Sequence, residues 1–246
     1  MDEKAVNTLV KGNLYLIPTT LGDCEPTMVL PAGTTSVLQS LDYLIVEQVR
    51  TARRLLSRLH LSSKIDSIQF FELNKHSSPF EVKKYLHPAL SGASVGLLSE
   101  AGTPCIADPG AVVVAHAHEL GIRVVPLTGP SSIILALMAS GFNGQSFAFH
   151  GYLPIQTPER ILAIKHLENL SITHDQTQIF IETPFRNLSL FETLIKTCQA
   201  ATMLCLATDI SLETEYIQSM PVKDWKKMTP DIQKRPTVYL IYGQKK

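Results

Sequence analysis

The sequence predicts an α/β protein of two lobes, a parallel-rich N-terminal sheet followed by a mixed C-terminal sheet, and three features carry this. Short runs rich in Val, Ile, Leu and Tyr alternate with helix-length segments through the first half of the chain, the order that a parallel sheet with crossover helices requires. The rhythm changes after Gly129, where a strongly apolar helix, Ile133–Met138, ends at Ser140-Gly141 before a new strand. Near the end of the chain strand-like runs crowd together, which suits antiparallel pairing.

Taken in order, the first lobe is expected to hold strands at Leu14–Pro18, Tyr43–Glu47, Ile68–Leu73, Val95–Ser99 and Val124–Leu127. Helices are expected near Val29–Gln39, Val49–Leu59, Phe80–Leu90 and Ala111–Leu120, the last stopped by Gly121 where a helix C-terminal glycine belongs. The second lobe should bring a strand at Phe147–Tyr152, a helix at Glu159–Leu170, a strand at Gln178–Glu182 and a helix at Leu188–Cys198. Strands at Met203–Ala207, Glu215–Gln218 and Val238–Tyr242 complete it. The lobes are expected to span residues 1–128 and 129–246, with no internal repeat and no low-complexity linker.

Composition narrows the function classes. Twenty-two Lys and Arg balance 22 Asp and Glu, so no global positive field draws the chain to nucleic acid, and any RNA contact needs a local patch. Cys24, Cys105, Cys198 and Cys205 show no CxxC spacing and read as reduced packing residues of a cytosolic protein. The first dozen residues lack the basic start and apolar core of a signal peptide. No apolar run approaches the ~18 residues of a membrane span, so a soluble, cytoplasmic protein is expected.

Several common chemistries lack their residues. No GxGxxG follows the first strand, no GxxxxGK[ST] occurs, and Gly129-Pro130-Ser131-Ser132-Ile133 lacks the second glycine of a GxSxG elbow. His116 and His118 stand two apart on an expected helix, too far around it for a metal pair, and no metal is expected.

Two strand-end loops stand out instead. Ser99-Glu100-Ala101-Gly102-Thr103-Pro104-Cys105-Ile106-Ala107-Asp108-Pro109-Gly110 follows a hydrophobic strand, at the sheet edge where open α/β folds bind ligands, and Gly102 lets backbone approach a bound molecule. A plain strand-to-helix connection explains one glycine and one proline, not twelve residues this dense in small, acidic, Pro and Gly residues. The run from Val125 to Ser132 again follows a strand and opens a helix, where Pro130, Ser131 and Ser132 suit either a helix cap or a polar ligand.

SEAGTPCIADPG, PLTGPSS, GYLP at Gly151–Pro154 and IFIETPFR at Ile179–Arg186 resemble, in order and spacing, the motif series of the ribosomal RNA small-subunit methyltransferase I family. That family belongs to the wider tetrapyrrole methylase superfamily. The resemblance spans roughly residues 13–243 and implies a two-lobed tetrapyrrole-methylase-like fold with S-adenosylmethionine in the cleft between the lobes of a homodimer. It implies that Ala101, Gly102, Thr103 and Ile106 line the cofactor, with Ser131 and Ser132 at the junction and Glu182 and Thr183 completing the wall.

The substrate side departs from the family pattern. The opening loop, Ile17-Pro18-Thr19-Thr20-Leu21-Gly22-Asp23, is shorter than the family's Gly- and Asn-containing turn. In Val46 to Leu56 the family's Asp, Thr, His and Thr become Gln48, Val49, Thr51 and Ala52, while Glu47, Arg50 and Arg53 stay. Asn74-Lys75-His76-Ser77 stands for His-x-His-Asn, and Thr183-Pro184-Phe185-Arg186 for Ser-Pro-His-Arg. Arg50, Arg53 and Arg54 cluster on one helix, either as a solvated basic face or as phosphate contacts.

The leading expectation is transfer of the cofactor's methyl group to an oxygen, a ribose 2′-hydroxyl of ribosomal RNA by resemblance. Glu47 and Glu100 are candidate proton acceptors, and Arg50, Arg53, His76 and Arg186 candidate substrate contacts; each also suits a structural ion pair. The alternatives are methylation of a tetrapyrrole or other small molecule, and a catalytically silent S-adenosylmethionine-binding module.

Overall fold

The computed structural model describes residues 10–74 and 77–243. Two units cluster separately, Met1–Pro130 and Ser131–Lys246. Among the described residues no helix is long and apolar enough to cross a membrane.

The first unit is a five-stranded, wholly parallel sheet in the order β3-β2-β4-β1-β5. Its elements run β1 (Asn13–Ile17), α1 (Pro26–Val29), α2 (Ala32–Ser40), β2 (Tyr43–Val46), α3 (Val49–Arg58), β3 (Gln69–Glu72), α4 (Pro79–Tyr85), α5 (His87–Leu90), β4 (Val95–Leu98), α6 (Ala111–Glu119) and β5 (Arg123–Pro126). A 3-10 turn, Ser62–Ser67, precedes β3. The central strand β4 is buried at all four residues, as a parallel strand covered on both faces must be. One apolar cluster, with Leu38, Leu44, Leu55, Leu56 and Leu98, packs on one side, and a second, with Leu14, Ile45, Val95, Leu97 and Val113, on the other.

Every predicted strand of this unit forms, with bounds shifted by a residue or so. The helix expected over Val29–Gln39 does not form as one piece. Pro31 has no backbone N–H and sits as the N-cap of α2, so the chain makes a one-turn α1, breaks at Leu30, and starts again. Phe80–Leu90 likewise divides into α4 and α5, with Pro88 in the first turn of the second piece.

Because all five strands are parallel, the loops after β1, β2, β4 and β5 leave from the same edge. The chain leaves β2 for β3 toward one end of the sheet and leaves its neighbour β4 for β5 toward the other. Adjacent strands whose connections part in this way open a crevice at their carboxyl ends, the usual ligand position of open α/β sheets.

The second unit begins with α7 (Ser132–Ser140) and β6 (Phe147–Tyr152), followed by α8 (Thr157–His174), β7 (Thr177–Ile181), α9 (Asn187–Thr197), β8 (Met203–Thr208), β9 (Tyr216–Pro221), α10 (Val222–Trp225) and β10 (Thr237–Tyr242). The sheet order is β6-β7-β10-β8-β9, with β6 and β7 parallel and the other pairings antiparallel, the mixed sheet the sequence predicts. Its core holds the cross-strand pair Phe180 and Tyr239, stacked at 5.9 Å, and Phe191 edge-on to Trp225 at 5.7 Å. The Trp225 indole is satisfied by donating to the Leu204 carbonyl at 2.9 Å.

Candidate active site

The loop after β4 is held by two of its own side chains, which bond its backbone. The buried Ser99 hydroxyl donates to the carbonyls of Gly102 (3.2 Å) and Ala101 (3.3 Å). Asp108 closes the far end, one carboxylate oxygen accepting the Cys105 N–H and the other the Gly110 N–H, both at 2.7 Å. Between these ties Cys105 (φ 70°) and Ala107 (φ 63°) sit in the left-handed region, which costs residues with a Cβ and persists only where the surroundings impose it. Burial, with the Asp108 carboxylate adding to it, pushes the Cys105 thiol up to about 11, so it stays protonated at neutral pH.

Gly102 is required by packing within the unit. Its φ is +73°, and a Cβ there would meet the Leu21 side chain at 2.8 Å and the Pro130 carbonyl oxygen at 3.0 Å. Gly102 also exchanges backbone bonds with the opening loop, accepting from the Thr19 N–H at 2.9 Å and donating to the Thr20 carbonyl at 3.4 Å. The expectation that this glycine makes room for a ligand thus gains a different reason: it fastens two strand-end loops together. The surfaces left for a ligand are its neighbours, exposed Ala101, half-buried Thr103 and Ile106, which is 48% exposed.

Glu47 and Glu100 come together at the ends of β2 and β4, which pair in register with Val46 beside Leu98. The Glu100 N–H donates to the Glu47 carboxylate at 3.1 Å, and the Glu100 carboxylate accepts the Thr51 hydroxyl at 3.1 Å. Burial holds the Glu47 carboxyl above the ordinary carboxylate range, the Glu100 N–H opposes this, and the negative charges of Asp108 and Glu100 reinforce it. Glu47 and Glu100 line a cavity of about 270 Å³ together with Thr19 to Asp23 of the opening loop and Arg54 and Arg58 of α3. Glu47 also borders a second recess of about 480 Å³, with Asn74, Ala107 and Asp108. None of the expected cofactor residues lines either cavity.

The arginines separate into distinct environments. Ala52, Leu55, Leu56 and Leu59 turn into the core, which leaves the opposite face of α3 to solvent. Arg53 forms an exposed pair with Asp66 at 2.8 Å. Arg50 and Arg54 are exposed and have no ion pair or hydrogen bond among the described residues. Arg58, which the sequence did not single out, bonds the Cys24 carbonyl and pairs with Asp23 at 2.9 Å, fixing the end of the opening loop to α3. Its signal was in the sequence: residues 50, 54 and 58 repeat at i+4, whereas 53 does not.

In the second unit, Ser131 caps α7, its hydroxyl accepting the Ile134 N–H at 3.5 Å, and Ser132 is the first helical residue. Glu182 is buried beyond the end of β7. One of its oxygens accepts from its neighbour Thr183 N–H and from Arg186, both at 2.6 Å, while the other is buried without a partner. The turn carrying Thr183 and Arg186 is anchored beneath by Asn187, whose side chain donates to the carbonyls of Ile232 (2.9 Å) and Arg235 (2.6 Å). His76 lies outside the described residues.

These groups fit the cofactor that the resemblance implies. S-adenosylmethionine presents amine and hydroxyl donors beside an apolar-tolerant sulfonium. In the second unit, the partnerless Glu182 oxygen needs a donor, since a buried acceptor left unpaired costs about 1–3 kcal/mol; in the first unit, taken by itself, Ile106 offers exposed apolar surface. Among the described residues no cluster of His, Cys, Asp and Glu is arranged to hold a metal.

No protein-family model matches the chain. Ribosomal RNA small subunit methyltransferase I of Vibrio cholerae is 31% identical over 233 residues, 94% of this chain and 77% of that protein. The Escherichia coli protein of the same name is 30% identical over 238 residues, 96% of this chain and 79% of that protein. Among solved structures, the methyltransferase CobJ matches with a TM-score of 0.64 over 94% of both chains at 16% identity. Uroporphyrin-III-C-methyltransferase from Thermus thermophilus matches at 0.55, covering 94% of this chain and 92% of that one at 18% identity. The structural likeness is one of fold, that of tetrapyrrole methylases; the sequence likeness reaches further, and by it the chain is a methyltransferase that belongs to the ribosomal RNA small subunit methyltransferase I family.

Proposed function

We propose that this methyltransferase uses S-adenosylmethionine to methylate a ribose 2′-hydroxyl of small-subunit ribosomal RNA. The observation that carries the reading is Glu47: a half-buried carboxylate, fixed by the Glu100 N–H and bordering two cavities at the edge of the first sheet. When bound, S-adenosylmethionine supplies a methyl group activated by its sulfonium. A hydroxyl that takes up this methyl must shed its proton, and Glu47 is the acceptor, its affinity for a proton already raised by burial. Glu100, held by Thr51, positions Glu47 through its N–H.

Ala101, Thr103 and Ile106 in the first unit, and Ser131, Ser132, Glu182 and Thr183 in the second, supply the cofactor contacts. Gly102 contributes by setting the loop's shape. Arg50 and Arg186 contact substrate, Arg186 being oriented by Glu182. The relatives' names and the unpaired cations of α3 support an RNA acceptor. A ribosomal acceptor puts the protein in the cytoplasm, and the working form is the homodimer that the resemblance implies.

The test is transfer of labelled methyl to small-subunit particles, naked small-subunit RNA and precorrin-type compounds. The label should enter RNA and survive as an alkali-resistant dinucleotide, because a methylated 2′-oxygen cannot attack the neighbouring phosphate. Label in base, or only in a tetrapyrrole, would overturn the acceptor proposed.

A further inference from the structure

The exposed face of α3 carries a line of positive charge of which the function proposed above uses only Arg50. Arg50, Arg54 and Arg58 recur every fourth residue, so their side chains leave one face of the helix with Cβ atoms about 5–6 Å apart. The line begins in solvent at Arg50 and runs into the cavity, where Arg54 and Arg58 are lining residues beside the hydroxyls of Thr19, Thr20 and Thr51. Arg50 and Arg54 have no anionic partner among the described residues. Arg58 does have one, the Asp23 carboxylate at 2.9 Å, but Asp23 is 96% exposed. An ion pair with one member so open to water holds weakly and exchanges readily for another anion.

We propose that Arg50, Arg54 and Arg58 form a track for consecutive phosphates of a single-stranded acceptor segment, and that Asp23 occupies the innermost position until a phosphate displaces it. The proposal rests on the RNA reading above and adds which residues hold the strand. A line of guanidinium groups matches a phosphodiester backbone, which needs regularly placed cations and no base-specific groups. Arg54 and Arg58 line the same cavity as Glu47 and Glu100, so a strand held on the track would lie against the carboxylate proposed as proton acceptor. Arg53 lies off this line and is engaged by Asp66.

The experiment is binding of a fluorescent single-stranded fragment of small-subunit ribosomal RNA over a series of salt concentrations. It compares wild type with Arg54→Gln, Arg53→Gln and Asp23→Asn. Each phosphate contact on a single strand contributes about 0.7 to the slope of log affinity against log salt. Arg54→Gln should lower the slope by about that amount, Arg53→Gln should leave it unchanged, and Asp23→Asn should tighten binding severalfold. An equal loss for Arg53→Gln and Arg54→Gln, or no change on Asp23→Asn, would overturn the track while leaving the RNA acceptor standing. Absence of RNA binding by the wild type, in either naked RNA or particles, would overturn the RNA reading and the track with it.

Discussion

The loop after β4 and the exposed face of α3 border the same sheet edge but are built in opposite ways. Ser99–Gly110 is tied at both ends by Ser99 and Asp108, bonded to the opening loop through Gly102, and bent through two left-handed residues that bear side chains. The face of α3 is a row of long side chains, two of them without any partner among the described residues. A backbone-defined loop tolerates few replacements, because each residue fixes a dihedral angle or a hydrogen bond. A charged helix face tolerates more, because its long side chains fix no backbone dihedral angle.

Four substitutions sharpen the contrast. Glu47→Gln should have the largest effect, slowing methyl transfer by about 10²–10⁴-fold, the usual contribution of a positioned base, with no loss of S-adenosylmethionine binding. The same change should raise the melting temperature. Burial lifts the Glu47 pKa above its unfolded value, so its contribution favours the fold at acid pH and is lost as pH rises through the folded pKa. At neutral pH the ionised group therefore opposes folding, and glutamine removes that cost. For the wild type, the acidic limb of the pH–rate profile should fall above the ordinary carboxylate range.

Asp108→Ala comes next. It removes two charge-assisted hydrogen bonds at 2.7 Å, and should cost about 2–3 kcal/mol, or roughly 5–10 °C in thermal unfolding. Gly102→Ala should cost about 1–2 kcal/mol from its left-handed backbone and the contact with the Pro130 carbonyl; an unchanged melting temperature would mean that the loop is less constrained than its geometry indicates. Arg53→Gln should be smallest, within about 0.5 kcal/mol, because its pair with Asp66 is exposed.

Strand positions were legible because short apolar or aromatic runs are bounded there by turn residues: Phe147–Tyr152 forms with the bounds read from the sequence, and Val95–Ser99 differs by one residue. The helix over Val29–Gln39 was misread because apolar spacing outweighed Pro31, whose missing N–H divides it. In the site, composition revealed the loop after β4 but not its cause. Gly102 serves a loop-to-loop contact between residues some eighty positions apart, which no local pattern displays. Nor does sequence show that Glu47 and Glu100 meet, since this follows from β2 and β4 being neighbours in the sheet. The partition of the α3 arginines was readable from helical period, and grouping them by proximity in sequence obscured it.

The central claim, that the rigid loop holds the cofactor while the α3 face serves the acceptor, is tested most directly by calorimetric titration with S-adenosylmethionine of the wild type, Ala101→Trp and Arg54→Gln. Ala101 is exposed in the loop, so tryptophan there should cover the cofactor surface without disturbing the core. The account predicts binding by the wild type, equal binding by Arg54→Gln and none by a folded Ala101→Trp. Undiminished binding by Ala101→Trp, or no binding by the wild type, would contradict it.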